Sequence, residues 1–177
     1  MSVGPGPTPI RFGTDGWRGV IAAEFTFANL ERVAQAYALH LLQDAAAATR
    51  APHVVVGYDR RFLSESFAER AAEVLTGNGV RVEMFDADVP TPLVSWAVRE
   101  RGAAGGVVIT ASHNPASFNG FKIKAPWGGS ATPETTAAVE ALVDRAPARR
   151  ADVPAGARGD LAGPAESYRR QIASLVD

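Results

Sequence analysis

The chain has 177 residues, with 18 Lys and Arg against 19 Asp and Glu and a formal net charge of −1. That balance supplies no basic field for a polyanion, so no nucleic-acid partner is expected. There are no cysteines, which excludes disulfide scaffolds, cysteine-ligated zinc, iron–sulfur clusters and thiol catalysis, and which fits a cytoplasmic setting. No apolar run reaches the roughly 18–20 residues of a membrane helix, and Met1 to Pro9 has neither the basic nor the apolar region of a signal peptide, so no membrane partner is expected.

Residues 1–10 read as a flexible lead. Trp17–Ile21 reads as a short strand that Gly19 weakens. Thr26 is an N-cap for a helix to about Gln43, whose apolar residues recur at three and four. Val54–Tyr58 is β-branched and reads as a buried strand. Ser64 is a candidate cap for a helix through Leu75, ended by Gly77–Gly79. Arg81–Phe85 alternates like a strand, and Pro90 and Pro92 open a helix over about Thr91–Arg101. Gly105–Thr110 reads as a buried strand, and Gly120–Lys124 as a half-buried one. Thr132-Pro133 starts a helix to about Arg145.

This β-α-β-α-β-α-β-β-α order predicts an α/β fold: a three-layer α/β/α sandwich with a mostly parallel, mixed sheet of about four main strands. The sheet is mixed because the step from Val107–Ile109 to Phe121–Lys124 is too short for a crossover, which makes the second strand antiparallel. The main domain is expected over 11–145. Residues 146–164 lack periodicity and read as a linker. Residues 165–177 carry a helical stripe of Tyr168, Ile172 and Leu175 or Val176 that reads as the start of a second domain.

The chemistry is concentrated in Thr110-Ala-Ser-His-Asn-Pro115, followed by Asn119-Gly-Phe-Lys122. A buried strand delivers Ser112 at its carboxyl end, the edge where open α/β sheets bind ligands. Pro115 holds Asn114 out of the helical region, so the serine sits in a stiffened loop. His113 and Asn114 add a titratable ring and an amide able to hydrogen-bond an anion. Asn119-Gly120 is a turn signal returning the chain to the sheet, and Lys122 falls on the face opposite Phe121 and Ile123. A Ser–His hydrolase fits poorly: neighbouring residues rarely align as nucleophile and base, and no G-x-S-x-G surrounds Ser112. Ordinary turn residues without chemistry are the alternative on residue types alone.

These two segments resemble the active-site serine loop of the α-D-phosphohexomutases, the phosphoglucomutase/phosphomannomutase family. Phe12-Gly-Thr-Asp-Gly-Trp-Arg-Gly19, Val56-Gly-Tyr-Asp-Arg-Arg61 and Val89-Pro-Thr-Pro92 resemble three further segments of that family, in family order, so the likeness covers about residues 11–145. The resemblance implies interconversion of hexose 1-phosphate and hexose 6-phosphate through a bisphosphate, with Ser112 as the phosphoserine. By the same resemblance, Arg18 neutralises phosphate oxygens, and Lys122 transfers a proton or contacts phosphate. His113 touches substrate, assists proton transfer or holds the loop, and Asn114 is a secondary contact or scaffold. A phosphoserine brings about −1.5 to −2 charges, which is why cations must gather there.

The resemblance also implies Mg²⁺, with the Ser112 phosphate as one metal ligand, and a hexose 1,6-bisphosphate as activator. The family's D-G-D-x-D-R metal loop is absent from this chain, as are its later sugar-reading and phosphate-binding loops. Asp86-Ala-Asp88 is a weak substitute, since Mg²⁺ needs more oxygen ligands than two carboxylates supply. The expected partners are therefore a hexose phosphate and the remaining domains of the same enzyme, with the fragment inactive alone. The competing reading is a stand-alone module that binds phosphosugars or a partner domain and catalyses nothing. Gly102–Gly106 precedes a strand and so is no dinucleotide fingerprint, Trp127-Gly-Gly-Ser130 is a possible anion nest or a plain loop, and His40 and His53 have no zinc spacing.

Overall fold

Strands β2 (His53–Tyr58) and β4 (Gly105–Ile109) lie side by side at the centre of a six-stranded sheet, and every residue of both is buried. The computed structural model describes residues 8–45, 51–159 and 162–176. The other strands are β1 (Gly16–Val20), β3 (Arg81–Phe85), β5 (Phe118–Lys124) and β6 (Arg158–Gly159), in the order β1-β5-β4-β2-β3-β6. β4, β2, β3 and β6 run parallel, while β5 is antiparallel to both β4 and β1. The short β4–β5 connection thus gives the antiparallel pair that its length requires.

Helices α1 (Phe27–Ala45), α2 (Ser64–Gly77) and α4 (Pro133–Leu142) cover one face of the sheet, and α3 (Thr91–Glu100) and α5 (Ala162–Ala173) cover the other. The larger core lies under α1, α2 and α4, and holds Phe121 and Ile123 of β5. Stacking of Trp17 on Phe25, with Phe67 edge-on to Phe25, ties β1 to α2 at 4.8 Å in each pair. The smaller core joins Val55 and Val108 to Leu93, Val94, Ala97 and Val98 of α3. The domain is a three-layer α/β/α sandwich, as its element order predicts.

The sheet has six strands rather than about four, because both edge strands are poorly marked in sequence. β1 carries two glycines, and β6 is two residues long inside the non-periodic stretch. That stretch, 146–159 of the expected linker, is held to α1 and α2 by polar contacts in place of an apolar stripe. The Arg149 amide donates to Gln35 Oε1 at 3.0 Å, the Ala151 amide donates to the Glu73 carbonyl at 3.1 Å, and Arg150 pairs with Glu31 and Glu73. Of the expected flexible lead, residues 1–7 lie outside the described residues, and Ile10 is packed into the larger core.

Thr26 caps α1 as expected, its Oγ1 accepting from the Asn29 amide at 3.2 Å. Ser64 does not cap α2. It is the first helical residue, preceded by Leu63 in a left-handed conformation, and its hydroxyl is spent elsewhere. α4 stops at Leu142 rather than near Arg145, because Val143 turns extended and Asp144 takes φ 64° to meet Arg32.

Candidate functional site

At the carboxyl end of β4 the chain leaves the sheet through Thr110 and the buried Ala111 and exposes Ser112. Ser112 has φ 57°, the left-handed region that a side chain enters only under constraint. The constraint is visible. The Ser112 amide donates to Thr110 Oγ1 at 3.0 Å, and the Asn114 amide donates to the Ala111 carbonyl at 3.0 Å.

Two residues directly after β2, Asp59 and Arg61, organise the loop. Asp59 Oδ2 accepts from Thr110 Oγ1 at 2.6 Å, and its Oδ1 accepts from the Ser64 hydroxyl at 2.9 Å and from the Arg61 amide at 3.0 Å. Arg61 Nε lies 3.3 Å from Asp59 Oδ2. Its two terminal nitrogens donate to four main-chain carbonyls: Ser112 at 2.9 Å, Asn114 at 2.7 Å, Pro115 at 2.8 Å and Phe118 at 2.9 Å. A planar guanidinium is suited to this, having five donors in a fixed fork.

Of the residues singled out in the sequence, Arg18, Asn114 and Lys122 are joined through Asp15, and His113 stands apart. Arg18, on β1, donates to Asn114 Oδ1 at 2.8 Å and so reaches the serine loop. Lys122, on β5, is buried and pairs with Asp15 at 2.8 Å, and Asp15 also lies 3.7 Å from Arg18. A continuous polar chain thus runs Lys122–Asp15–Arg18–Asn114. His113 is exposed, with Nδ1 3.5 Å from Ser112 Oγ, the outer limit of a hydrogen bond and not the contact of a nucleophile with its base.

Asn119-Gly120 is not a turn. Both residues lie within β5, and the reversal falls at residues 112–117. Asn119 is fully buried, donating to Ser64 Oγ at 2.9 Å and accepting from the Gly120 amide at 2.9 Å. Gly120 is required by close packing, since a Cβ there would lie 2.6 Å from the Thr110 carbonyl and 2.9 Å from that of Trp17.

Asp59 and Arg61 are the site residues that sequence reasoning left without a role, although their segment was part of the resemblance. The usable signal was the charged run Asp59-Arg60-Arg61 directly after the buried run Val54–Tyr58, at the edge where Ser112 emerges.

The donor set does not fit a bound Mg²⁺ within this chain. Asp59 and Asp15 are both occupied by donors, and among the described residues no group of three or more His, Cys, Asp or Glu could hold a metal. Asp88 is engaged as well, accepting from Arg60 Nε at 2.7 Å.

The family model described as phosphoglucomutase/phosphomannomutase, alpha/beta/alpha domain I, matches residues 9–150. The chain belongs to this family. This phosphohexomutase domain I is 45% identical over 122 residues to the "Probable phosphoribomutase" of Schizosaccharomyces pombe, a match covering 67% of this chain and 20% of the relative. It is 43% identical over 139 residues to the phosphoglucosamine mutase of Clavibacter sepedonicus, covering 77% of this chain and 30% of the relative. The solved structure of the "putative phosphomannomutase" from Thermus thermophilus superposes with a TM-score of 0.85 at 45% identity, over 97% of this chain and 37% of that one. The phosphohexomutase domain therefore spans about a fifth to somewhat over a third of the relatives it matches. Among the described residues, no helix is long and apolar enough to cross a membrane.

Proposed function

We propose that this chain is the phosphoryl-carrying domain of a sugar-phosphate mutase, with Ser112 as the carrier. The observation that carries the reading is the exposed Ser112 hydroxyl at the sheet edge, on a loop held by Arg61 and reached by Arg18. Phosphoryl transfer depends mainly on positioning and charge neutralisation; the Arg61 bonds that hold the Ser112 loop bear on the first, and Arg18 at Asn114 bears on the second.

In the loading step Ser112 Oγ bonds to the phosphorus of a hexose 1,6-bisphosphate. The bond from phosphorus to the sugar oxygen breaks, and the serine proton passes by way of His113 to the departing sugar oxygen. In the return step a sugar hydroxyl takes the phosphoryl group, the Oγ–phosphorus bond breaks and the serine regains a proton. Arg18 and Lys122 balance the phosphate charge, and Asn114 fixes the orientation of Arg18. A phosphate on Ser112 would offer one oxygen to a Mg²⁺, which would help to offset the phosphoryl charge, and the remaining ligands would have to come from outside the described residues. The setting is cytoplasmic, and the partners are a sugar phosphate and further domains of the same enzyme.

The test uses the product of the full open reading frame, incubated with glucose 1,6-bisphosphate and mapped by mass spectrometry. One phosphate on Ser112, lost together with turnover in Ser112→Ala, is the expected result. Phosphate on another residue, or full turnover in Ser112→Ala, overturns it. The 177-residue chain alone is expected to show no appreciable turnover. Relatives named for ribose, glucosamine and mannose make a comparison of these sugar phosphates the way to identify the substrate.

A further inference from the structure

The sheet face under α3 carries a further buried cation, Lys124, which the phosphoryl chemistry leaves unused. Lys122 and Lys124 alternate with Phe121 and Ile123 along β5, so their side chains rise on the α3 side. Gly106 is the β4 partner of Lys124, and a Cβ built on it would lie 2.6 Å from Val98 Cγ2 and 3.3 Å from Lys124 Cβ. Lys124 is 7% exposed. Asp15 is the carboxylate within electrostatic range, and it is already taken by Lys122 at 2.8 Å. Among the described residues the Lys124 side chain has neither a hydrogen bond nor an ion pair.

Lys124 lines a cavity of about 360 Å³ between α3, α5 and the turn at 125–130. Thr91, Ser95 and Arg99 line it from α3, Tyr168 from α5, and Trp127 from the turn. Arg99 likewise has no carboxylate partner among the described residues. The turn offers the Trp127 side chain to this space. The Ala125 and Gly128 amides are consumed by main-chain bonds to the Gly129 and Ala125 carbonyls, and a Cβ on Gly128 would strike the Ser95 carbonyl. Trp127, 62% exposed, therefore stands as a wall at the cavity mouth.

A lysine stem buried under an ammonium that reaches water is the ordinary arrangement. Here Lys124 and the exposed Arg99, neither with a carboxylate of its own among the described residues, line one concave space together with an indole and a hydroxyl. Burial, then the charge of Lys122, holds the Lys124 amine below the usual lysine range. An arriving anion reverses that penalty, because a desolvated charge gains most from a partner that shares its cavity.

We propose that this cavity is a binding site for a phosphorylated small molecule, with Lys124 and Arg99 as its charges, Ser95 as a hydroxyl donor and Trp127 as its aromatic wall. The volume exceeds a bare phosphate, leaving room for a small group against Trp127 and Tyr168. The site is distinct from the serine loop: Lys124 pairs with Gly106, six residues before Ser112, toward the amino end of β4.

The test is titration of the 177-residue chain with inorganic phosphate at constant ionic strength, read by tryptophan fluorescence and by calorimetry. The expected result is saturable binding that persists in Arg18→Ala and Ser112→Ala. Affinity should fall about ten-fold or more in Lys124→Met and several-fold in Arg99→Ala, and should return in Lys124→Arg. Because Lys124→Met alters a buried position, the exposed Arg99→Ala carries the test should that variant misfold. Equal affinity in the folded cavity variants, absence of saturable binding, or loss confined to Arg18→Ala each overturns the proposal. The last of these would place the phosphate at the serine loop and leave the Ser112 reading intact.

Discussion

The Arg61 guanidinium donates to the main-chain carbonyl of Ser112 at 2.9 Å, and the same group holds the carbonyls of Asn114, Pro115 and Phe118. A single side chain therefore sets the path of the whole serine loop from β2, across the neighbouring strand. Arg61→Ala removes every one of these donors at once and leaves Asp59 without its guanidinium. The expected loss is about 3 kcal/mol, given roughly 1.5–3 kcal/mol for hydrogen bonds to charged groups and their non-additivity. Urea unfolding measures the total, and amide hydrogen exchange over 112–118 localises it. Arg61→Lys is expected to recover only part, because an ammonium lacks the planar fork. Full recovery by lysine would show that charge alone holds the loop.

Ser112 sits at φ 57°, where glycine is at ease and other residues are strained by about 1 kcal/mol. Its hydroxyl has a single contact, at the 3.5 Å limit, with His113. Ser112→Ala is therefore expected to leave stability within about 0.5 kcal/mol of the parent, a surface-type change. Ser112→Gly is expected to stabilise by up to about 1 kcal/mol. Both variants give up the hydroxyl. Thermal melts of the three chains check the order glycine above serine and alanine. A destabilised Ser112→Gly would mean that the left-handed conformation carries no strain here.

The sandwich was legible in the sequence because its central elements obey one period each. β2 and β4 are continuous apolar runs, and α1, α2 and α3 each carry a clear stripe. The edge strands were not legible in the same way, since β1 is interrupted by Gly16 and Gly19 and β6 is held by pairing to Met84 and Phe85 alone. Ser112 was legible as a hydroxyl at the end of a buried strand and Lys122 by its place on the returning strand, whereas Arg18 was singled out by the family resemblance alone. The roles of Asp59, Arg61 and Asn119 were not, because each acts through contacts more than fifty positions away along the chain. Asn119-Gly120 misled for the same reason: a turn-forming pair is also what a strand needs where a buried amide and a missing Cβ let three strands approach.

The Lys122–Asp15 pair has 11% and 19% of its two side chains exposed, so removing either partner has unequal consequences. Asp15→Ala strands a buried ammonium and also loosens Arg18 from behind, with an expected loss of about 2–3 kcal/mol. Lys122→Met replaces the ammonium with an apolar group of similar length. It leaves behind an aspartate that still has Arg18 at 3.7 Å, with an expected loss of about 1 kcal/mol or less. Urea unfolding of both variants and of the double variant gives the coupling directly. Equal single losses would show that the pair is screened by water and that burial contributes nothing to it.

His53 opens β2 with its side chain 8% exposed, and neither ring nitrogen has a hydrogen-bond partner. Nε2 lies 3.2 Å from Glu83 Oε2, within ion-pair range. Burial, and then the charge of Arg81, hold the imidazole below its ordinary value near 6.5; Glu83 opposes this and Arg101 adds to it. The folded chain consequently binds fewer protons at His53 than the unfolded chain does once the pH falls below about 6.5. The contribution of this group is thus fully present above that pH and is lost as pH drops through the unfolded value, with a slope of at most about 1.4 kcal/mol per pH unit for one proton. Other groups titrate over the same interval, so the informative quantity is the difference between the parent and His53→Gln. Urea unfolding at pH 7.5, 6.5 and 5.5 is expected to show the parent losing more stability than the variant toward pH 5.5. Parallel losses would mean that His53 is protonated equally in both states. A parent that gains on the variant as the pH falls would mean that the ion pair with Glu83 outweighs burial, reversing the sign.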